Sequence, residues 1–311
     1  MVKLLAEPAP AKINLFLRVV GRRADGYHEL DSVFVPVSLC DQVRVEIRVE
    51  PRSAADTATG TTIALRCDRD GLPAGEKNLA WRAADAFLGE FGAEIHRPRA
   101  VAIDLRKEIP IGAGLGGGSS DAGAVLRMMA ALCRVDDRSR LAQVALALGA
   151  DVPFFLDPHL AHVGGVGERI APLEIDASSA RAPQAPLWRT PLWIVIAVPP
   201  IVVSTAEVFH ALSPEQWSGA APAEHLHAIA SCAIGPSMLQ NDLAAAAIAR
   251  YPEIAQLRSV LLAAGAEGAS MSGSGGAVFG IFPSAEAAAR AASKLRQNHP
   301  QARYYVVNSL F

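Results

Sequence analysis

Pro110-Ile-Gly-Ala-Gly-Leu-Gly-Gly-Gly-Ser-Ser-Asp121 places five glycines in the seven positions from Gly112 to Gly118. Two hydroxyls and a carboxylate follow, and then a helix-like run from Ala122 to Cys133. A backbone without Cβ atoms turns its N–H groups inward and lets an anion approach closely. A helix opening at that point adds the positive end of its dipole. A flexible Gly/Ser linker fits poorly, because Val125, Leu126, Met128, Met129 and Leu132 follow at near-helical spacing. The stretch reads as a phosphate cradle.

Two familiar cradles fail on context. Gly112, Gly114 and Gly117 match G-x-G-x-x-G, with Asp136 and Asp137 about twenty residues on. That fingerprint needs a strand running straight into its first glycine, whereas Lys107-Glu108-Ile109-Pro110 intervenes after Val101–Leu105. A Walker A loop needs Gly-Lys-Ser/Thr, and none of Lys3, Lys12, Lys77, Lys107 or Lys294 follows a glycine. A lysine serving the phosphates therefore comes from elsewhere. Lys12 interrupts the apolar, strand-like Pro8–Leu17, where a cation needs a partner or a task.

Pro-Ala-Lys-Ile-Asn-Leu15, the glycine loop with its Ser-Ser-Asp-Ala, and Met271-Ser-Gly-Ser-Gly-Gly276 resemble, in order, the three signatures of the GHMP kinases. Gly21-Arg-Arg-Ala-Asp-Gly-Tyr-His-Glu-Leu30, Gly149-Ala-Asp-Val-Pro-Phe154 and Gly165-Val-Gly-Glu168 resemble the branch whose acceptor is a cytidine-diphosphate-linked methylerythritol. The resemblance implies an α+β, two-domain GHMP kinase fold: a ribosomal S5 domain 2-like N-terminal domain over 1–164 and a ferredoxin-like C-terminal domain over 165–311. The first is expected to bind ATP and carry catalysis, the second to bind substrate. Transfer of the ATP γ-phosphate to the substrate 2-hydroxyl is the implied activity, with ATP and Mg²⁺ as the only cofactors.

Residue by residue, Asp151 reads as a cap or turn aspartate between Gly149 and Pro153. The resemblance makes it the general base and Lys12 its partner. Gly112, Gly114, Leu115, Gly116, Gly117, Gly118, Ser119 and Ser120, entered through Pro110, are expected on the ATP phosphates. Ser119 or Ser120 is a candidate Mg²⁺ ligand, and Ser119 is equally a candidate helix N-cap. For Asp121 a structural role is favoured, because a carboxylate beside triphosphate repels it. Asn78 reads as a helix cap and an adenine contact together. Tyr27 and His28, after the Asp25-Gly26 turn, are expected to form a cytosine pocket with Phe209; a packed strand start and a core aromatic are the plain alternatives. Asn14 shares a strand face with Lys12, and Ser272-Gly273 is expected to close over the phosphates.

The composition narrows the partners. Net charge is −2, which leaves no electrostatic footprint for nucleic acid or an anionic membrane. Cys40, Cys67, Cys133 and Cys232 are scattered, as suits reduced thiols. Glu7, Pro8 and Pro10 break any signal-peptide core, and Leu192–Val203 is too short to span a bilayer. His159-x-x-His162 and His225-x-His227 lack nearby ligands at structural-zinc spacing. A cytoplasmic monomer or homodimer is expected. A kinase for a mevalonate- or homoserine-like alcohol, or a silent nucleotide-binding relative, are the competing readings.

Strands are expected at Ile13–Val20, Ser32–Val37, Gln42–Val49, Thr61–Cys67, Val101–Leu105, Phe154–Leu156, Ala161–Val163, Leu192–Val198, Gly276–Phe282 and Arg303–Val307. Helices are expected at Asn78–Phe91, Ser120–Cys133, Arg138–Leu148, Thr205–Ala211, Leu239–Ala249, Ile254–Ala264 and Ala285–Gln297. Glu50–Gly60 reads as a polar turn, Ala177–Pro191 as an exposed connection and Ser213–Glu224 as a mobile loop.

Overall fold

A computed structural model describes residues 1–49, 60–96, 98–175, 191–231 and 234–311. The polar turn at 50–59, most of the 177–191 connection and Cys232 lie outside the described residues. Two compact units emerge, neither continuous in sequence. The first comprises Met1–Ala11, Cys40–Ile109 and Gly116–Pro158; the second comprises Lys12–Leu39, Pro110–Leu115 and His159–Phe311. Strands β1 (Val2–Arg22) and β2 (His28–Arg48) each contribute one portion to either unit.

In the first unit, the end of β2 pairs antiparallel with β4 (Ala100–Arg106), which pairs parallel with β3 (Thr62–Cys67). Alternation along β4 buries Val101, Ile103 and Leu105, as period-two strand geometry requires. Against this face pack α1 (Leu79–Phe91), α2 (Gly117–Cys133) and α3 (Arg138–Leu148). Phe87 and Phe91, one helical turn apart, set their rings 4.9 Å from each other at the centre of this core. Asn78 caps α1: its Oδ1 accepts from Ala80 N–H at 3.0 Å, and its Nδ2 donates to the Pro73 carbonyl at 2.9 Å.

In the second unit, the start of β2 pairs with β5 (Ala161–Gly165), which forms a hairpin with β6 (Arg169–Pro172). A separate four-stranded sheet runs in the order β10 (Arg303–Asn308), β7 (Trp193–Val198), β9 (Val278–Phe282), β8 (Gly268–Met271). All of its pairs are antiparallel, so β9 and β10 run parallel on either side of β7. With α7 (Glu253–Ala263) before β8 and α8 (Ala285–Asn298) between β9 and β10, this is the split β-α-β of a ferredoxin-like fold. Val195, Ala197, Val278 and Phe282 meet Leu257, Leu261, Ala288, Ala292 and Leu295 in its core. The chain end returns to β2, where Ser309 bridges Val37 and Leu310 N–H donates to the Pro36 carbonyl.

Several elements differ from the sequence expectation. Ser32–Val37 and Gln42–Val49 belong to one strand, because polar Asp41 stays inside β2 and spends its carboxylate on a buried lysine. Phe154–Leu156 is a 3₁₀ turn opened by Pro153 rather than a strand. Helix α2 starts at Gly117, three residues early, so Ser119 lies within its first turn and Gly116, at φ +73°, is the cap. The 213–224 segment is not a free loop: it holds a 3₁₀ turn, Pro214–Gln216, and the start of α5 (Ala223–Ala230). The helix expected from Leu239 begins only at Ala244, because Asn241 and Asp242 bond outward to other segments.

Candidate active site

Within the second unit, the three glycine- and lysine-bearing motifs interlock. Lys12, on β1, is 4 % exposed, donates its Nζ proton to Asn14 Oδ1 at 2.6 Å and lies 4.4 Å from the Phe34 ring centre. Its backbone N–H donates to the Leu115 carbonyl at 3.0 Å, which ties β1 to the glycine loop. Asn14 Nδ2 donates to Ser32 Oγ at 2.9 Å, and Asn14 N–H donates to Ser272 Oγ at 3.3 Å. Ser272 Oγ in turn donates to the Gly114 carbonyl at 3.2 Å. Alternation on the strand puts Lys12 and Asn14 on one face, so a cation and an amide are presented together.

The two glycine-rich turns dock backbone against backbone. A Cβ at Gly114 would meet Gly275 N at 2.9 Å, with the Ser272 carbonyl nearer still; one at Gly275 would fall 2.6 Å from the Ala113 carbonyl oxygen. Ala277 N–H donates to that same carbonyl at 3.1 Å. Gly112, Gly114 and Gly273 hold φ of +68°, +78° and +61°, where side-chain-bearing residues are strained. Asn241 Nδ2 fastens the second turn by donating to the carbonyls of Met271 and Gly273. Ser272 and Gly275 thus lie directly against the glycine loop at Ala113 and Gly114.

In the first unit, α2 opens at Gly116 with no side-chain cap, which leaves its amino end to backbone donors alone. Gly117 is packed against Ile109, whereas Gly118 faces open space. Ser119 is half-buried; Ser120 Oγ is fully buried and has no hydrogen-bond partner among the described residues. An orphaned hydroxyl oxygen of this kind suits a hard cation or the water it carries. Asp151 sits half-buried in the turn that follows α3, between Gly149 and the Pro153 3₁₀ turn.

A buried ionic triad, which the sequence reading missed, ties Ile109 and its neighbours to α2. Lys107 Nζ bonds both Asp41 and Asp121, and all three side chains are nearly inaccessible. Asp41 Oδ1 also accepts from the N–H groups of Glu108 and Ile109, at 2.7 and 2.8 Å. The triad thus clips the chain entering the loop to the first turns of α2. Two carboxylates share one ammonium, and burial pushes the Asp121 carboxyl up to about 7, with the Asp41 charge adding to the rise against the pull of Lys107. Asp121 thus spends its carboxylate on Lys107, inside the fold. A signal existed: Lys107 is one of five lysines and stands three residues before Pro110.

At the β1–β2 turn, Gly26 adopts φ +89° and Tyr27 N–H donates to Asp25 Oδ1, an Asx turn. His28 stacks on Phe209 of α4 (Thr205–His210), with ring centres 5.2 Å apart and planes inclined by 27°. Trp217, unmarked by the sequence reading, meets His28 edge-on at 6.0 Å. Tyr27 remains 66 % exposed and joins neither ring. Burial chiefly, then Arg22 and His210, lower the His28 pKa and favour its neutral ring.

Models of the GHMP kinases N terminal domain and of the GHMP kinases C terminal domain match residues 78–157 and 228–301. A 4-diphosphocytidyl-2-C-methyl-D-erythritol kinase of Anaeromyxobacter dehalogenans (strain 2CP-1) is 42 % identical over 289 residues, covering 91 % of this chain and 82 % of that one. The chain belongs to the 4-diphosphocytidyl-2-C-methyl-D-erythritol kinase family, within the GHMP kinases. A member from Geobacter sp. (strain M21) is 38 % identical over 95 % of this chain and 96 % of its own. A crystal structure of a 4-(cytidine 5'-diphospho)-2C-methyl-D-erythritol kinase superposes with a TM-score of 0.77 at 38 % identity, covering 98 % of this chain and 99 % of that one. Homoserine kinase from Cytophaga hutchinsonii, 19 % identical, shares the fold with a TM-score of 0.70, covering 98 % of this chain and 95 % of its own. Among the described residues no helix is long and apolar enough to cross a membrane.

Proposed function

We propose that the chain transfers the γ-phosphate of ATP to the 2-hydroxyl of 4-diphosphocytidyl-2-C-methyl-D-erythritol, a step of the non-mevalonate route to isoprenoid precursors. The observation that carries this reading is the interlock of Lys12–Asn14, Gly114–Leu115 and Ser272 in one hydrogen-bonded cluster. The family relationship supplies the substrate.

Phosphoryl transfer has a loose transition state with charge spread over three equatorial oxygens, so positioning and charge stabilisation do most of the catalysis. Backbone N–H groups of Gly112 to Ser120, entered through Pro110, receive the phosphates. Asp151 takes the hydroxyl proton as the acceptor oxygen bonds the γ-phosphorus and the bond to the β,γ-bridging oxygen breaks. Lys12 assists as the cation that lowers the cost of the charge that develops. Mg²⁺, held through Ser119 or Ser120 and the ATP phosphates, would neutralise charge on the transferring group. Asn78 borders the adenine, and Asn14, Ser272 and Gly273 face the substrate phosphates. Tyr27, His28 and Phe209 take the cytosine. Functionally the chain divides near Gly164–Gly165, with ATP binding and catalysis before it and the substrate site drawing on Asn14, Tyr27 and His28 before it as well as Phe209, Ser272 and Gly273 after it.

Phosphorus NMR of the protein with ATP and the cytidine-diphosphate substrate tests the activity: ADP and a new phosphomonoester resonance are expected. Asp151→Asn should lower turnover by about 10²–10⁴ with ATP affinity retained. Near-unchanged turnover in that variant would remove Asp151 from the mechanism.

A further inference from the structure

Residues Trp217–Ala221 form irregular chain, yet the side chains of three distant residues fasten them. Ser218 N–H and Oγ–H donate to the two oxygens of Asp242, at 2.9 and 2.6 Å. Arg18 donates to the carbonyls of Ser218 and Gly219, and Gly219 N–H donates to the Val19 carbonyl. Ala221 N–H donates to Asp31 Oδ2 at 2.6 Å, while Asp31 Oδ1 is bonded by His162 Nε2 at the same distance. Asp31 and Asp242 are each only 7 % exposed. Burying a carboxylate costs free energy that only well-made hydrogen bonds offset. Two buried carboxylates are thus committed to holding one surface segment still.

What that segment presents is Trp217. Its indole meets the His28 ring at an interplanar angle of 81° and is partly buried beside Phe209. The indole Nε1–H is buried without a hydrogen-bond partner among the described residues, so the ring is placed for its edge contact and not for a bond of its own. His28 therefore has Phe209 on its face and Trp217 at its edge, both from distant sequence.

We propose that Trp217, held by the Asp31–Arg18–Asp242 anchors, is a positioning residue that fixes the plane of His28 and so sets affinity for the pyrimidine base of the substrate. The inference rests on reading His28 and Phe209 as the nucleobase pocket. An edge-to-face ring contact has a size that corresponds to about a three- to tenfold change in affinity. Trp217→Ala should raise KM for the cytidine-diphosphate substrate by that factor, with kcat and the KM for ATP unchanged. Trp217→Phe should recover most of the loss, which a collapsed segment would not allow. Introduced into a His28→Ala background, Trp217→Ala should add nothing further. An unchanged KM in Trp217→Ala, or the same extra factor on top of His28→Ala, overturns the proposal while leaving the pocket intact. If His28→Ala and Phe209→Ala leave that KM unchanged as well, the pocket reading fails and takes the proposal with it.

Discussion

Gly275→Ala adds one methyl group where the two glycine turns touch. The new carbon would sit 2.6 Å from the Ala113 carbonyl oxygen, with Gly114 N and Ala113 C closer, and all three atoms are backbone. Ordinary carbon contacts begin near 3.4 Å, so the turns must part by about 1 Å. Overpacking of this kind costs about 1–3 kcal/mol of stability. A displacement of about 1 Å in a substrate-holding loop costs about a hundredfold in rate. Gly275 is not in the left-handed region, so the effect is steric and not conformational. Gly118→Ala is the matched control, since its Cβ meets nothing within 4 Å. A coupled ADP-release assay and thermal melts on both variants decide the matter. Gly275→Ala should lose about two decades of kcat/KM, whereas Gly118→Ala should fold as well as the parent. Full activity in Gly275→Ala would show that the docking of the two turns does not shape the loop proposed to hold the phosphates.

Lys107→Met should cost about 3–5 kcal/mol in urea denaturation, because it strands two buried carboxylates; a loss below 1 kcal/mol would show that the triad contributes little. For Asp121 the sign runs opposite to that of most carboxylates. Its folded-state pKa is raised from 3.8 to about 7, so the fold binds the extra proton, and stability falls as pH climbs through that window. Asp121→Asn should therefore gain on the parent in melting temperature between about pH 4 and 7, and parallel pH curves would contradict the assignment. Asn78→Ala should cost about 1 kcal/mol as a lost N-cap, and an accompanying rise in KM for ATP would mark the adenine contact as well.

Much of the fold was legible because its punctuation is local. Gly149 closes α3, Asn78 opens α1, Asp25-Gly26 makes the β1–β2 turn, and period-two burial marks β4. Long-range partnership was not. Ser32–Val37 and Gln42–Val49 read as two strands because Asp41, which joins them inside β2, has its partner Lys107 66 residues away. Ser213–Glu224 read as mobile because its polar composition hides anchors at Arg18, Asp31 and Asp242. The candidate site divides along the same line. Lys12, the glycine loop and Ser272 announce themselves by residue type in an unusual setting. Trp217 does not, since nothing around it in sequence shows that it stands against His28.

The docking of Gly114 on Gly275 also has a consequence in time. The glycine loop proposed to carry the phosphates is synthesised well before its partner turn, since Gly275 lies 161 residues after Gly114. At about 5–20 residues per second, the interval between them is on the order of ten seconds. Throughout that interval the nascent chain has a glycine loop with neither the Ser272 bond nor the Ala277 bond to hold it. On the proposed reading, nucleotide capture waits for that docking, and a chain released before residue 277 should fail to retain ATP even with its first helices formed.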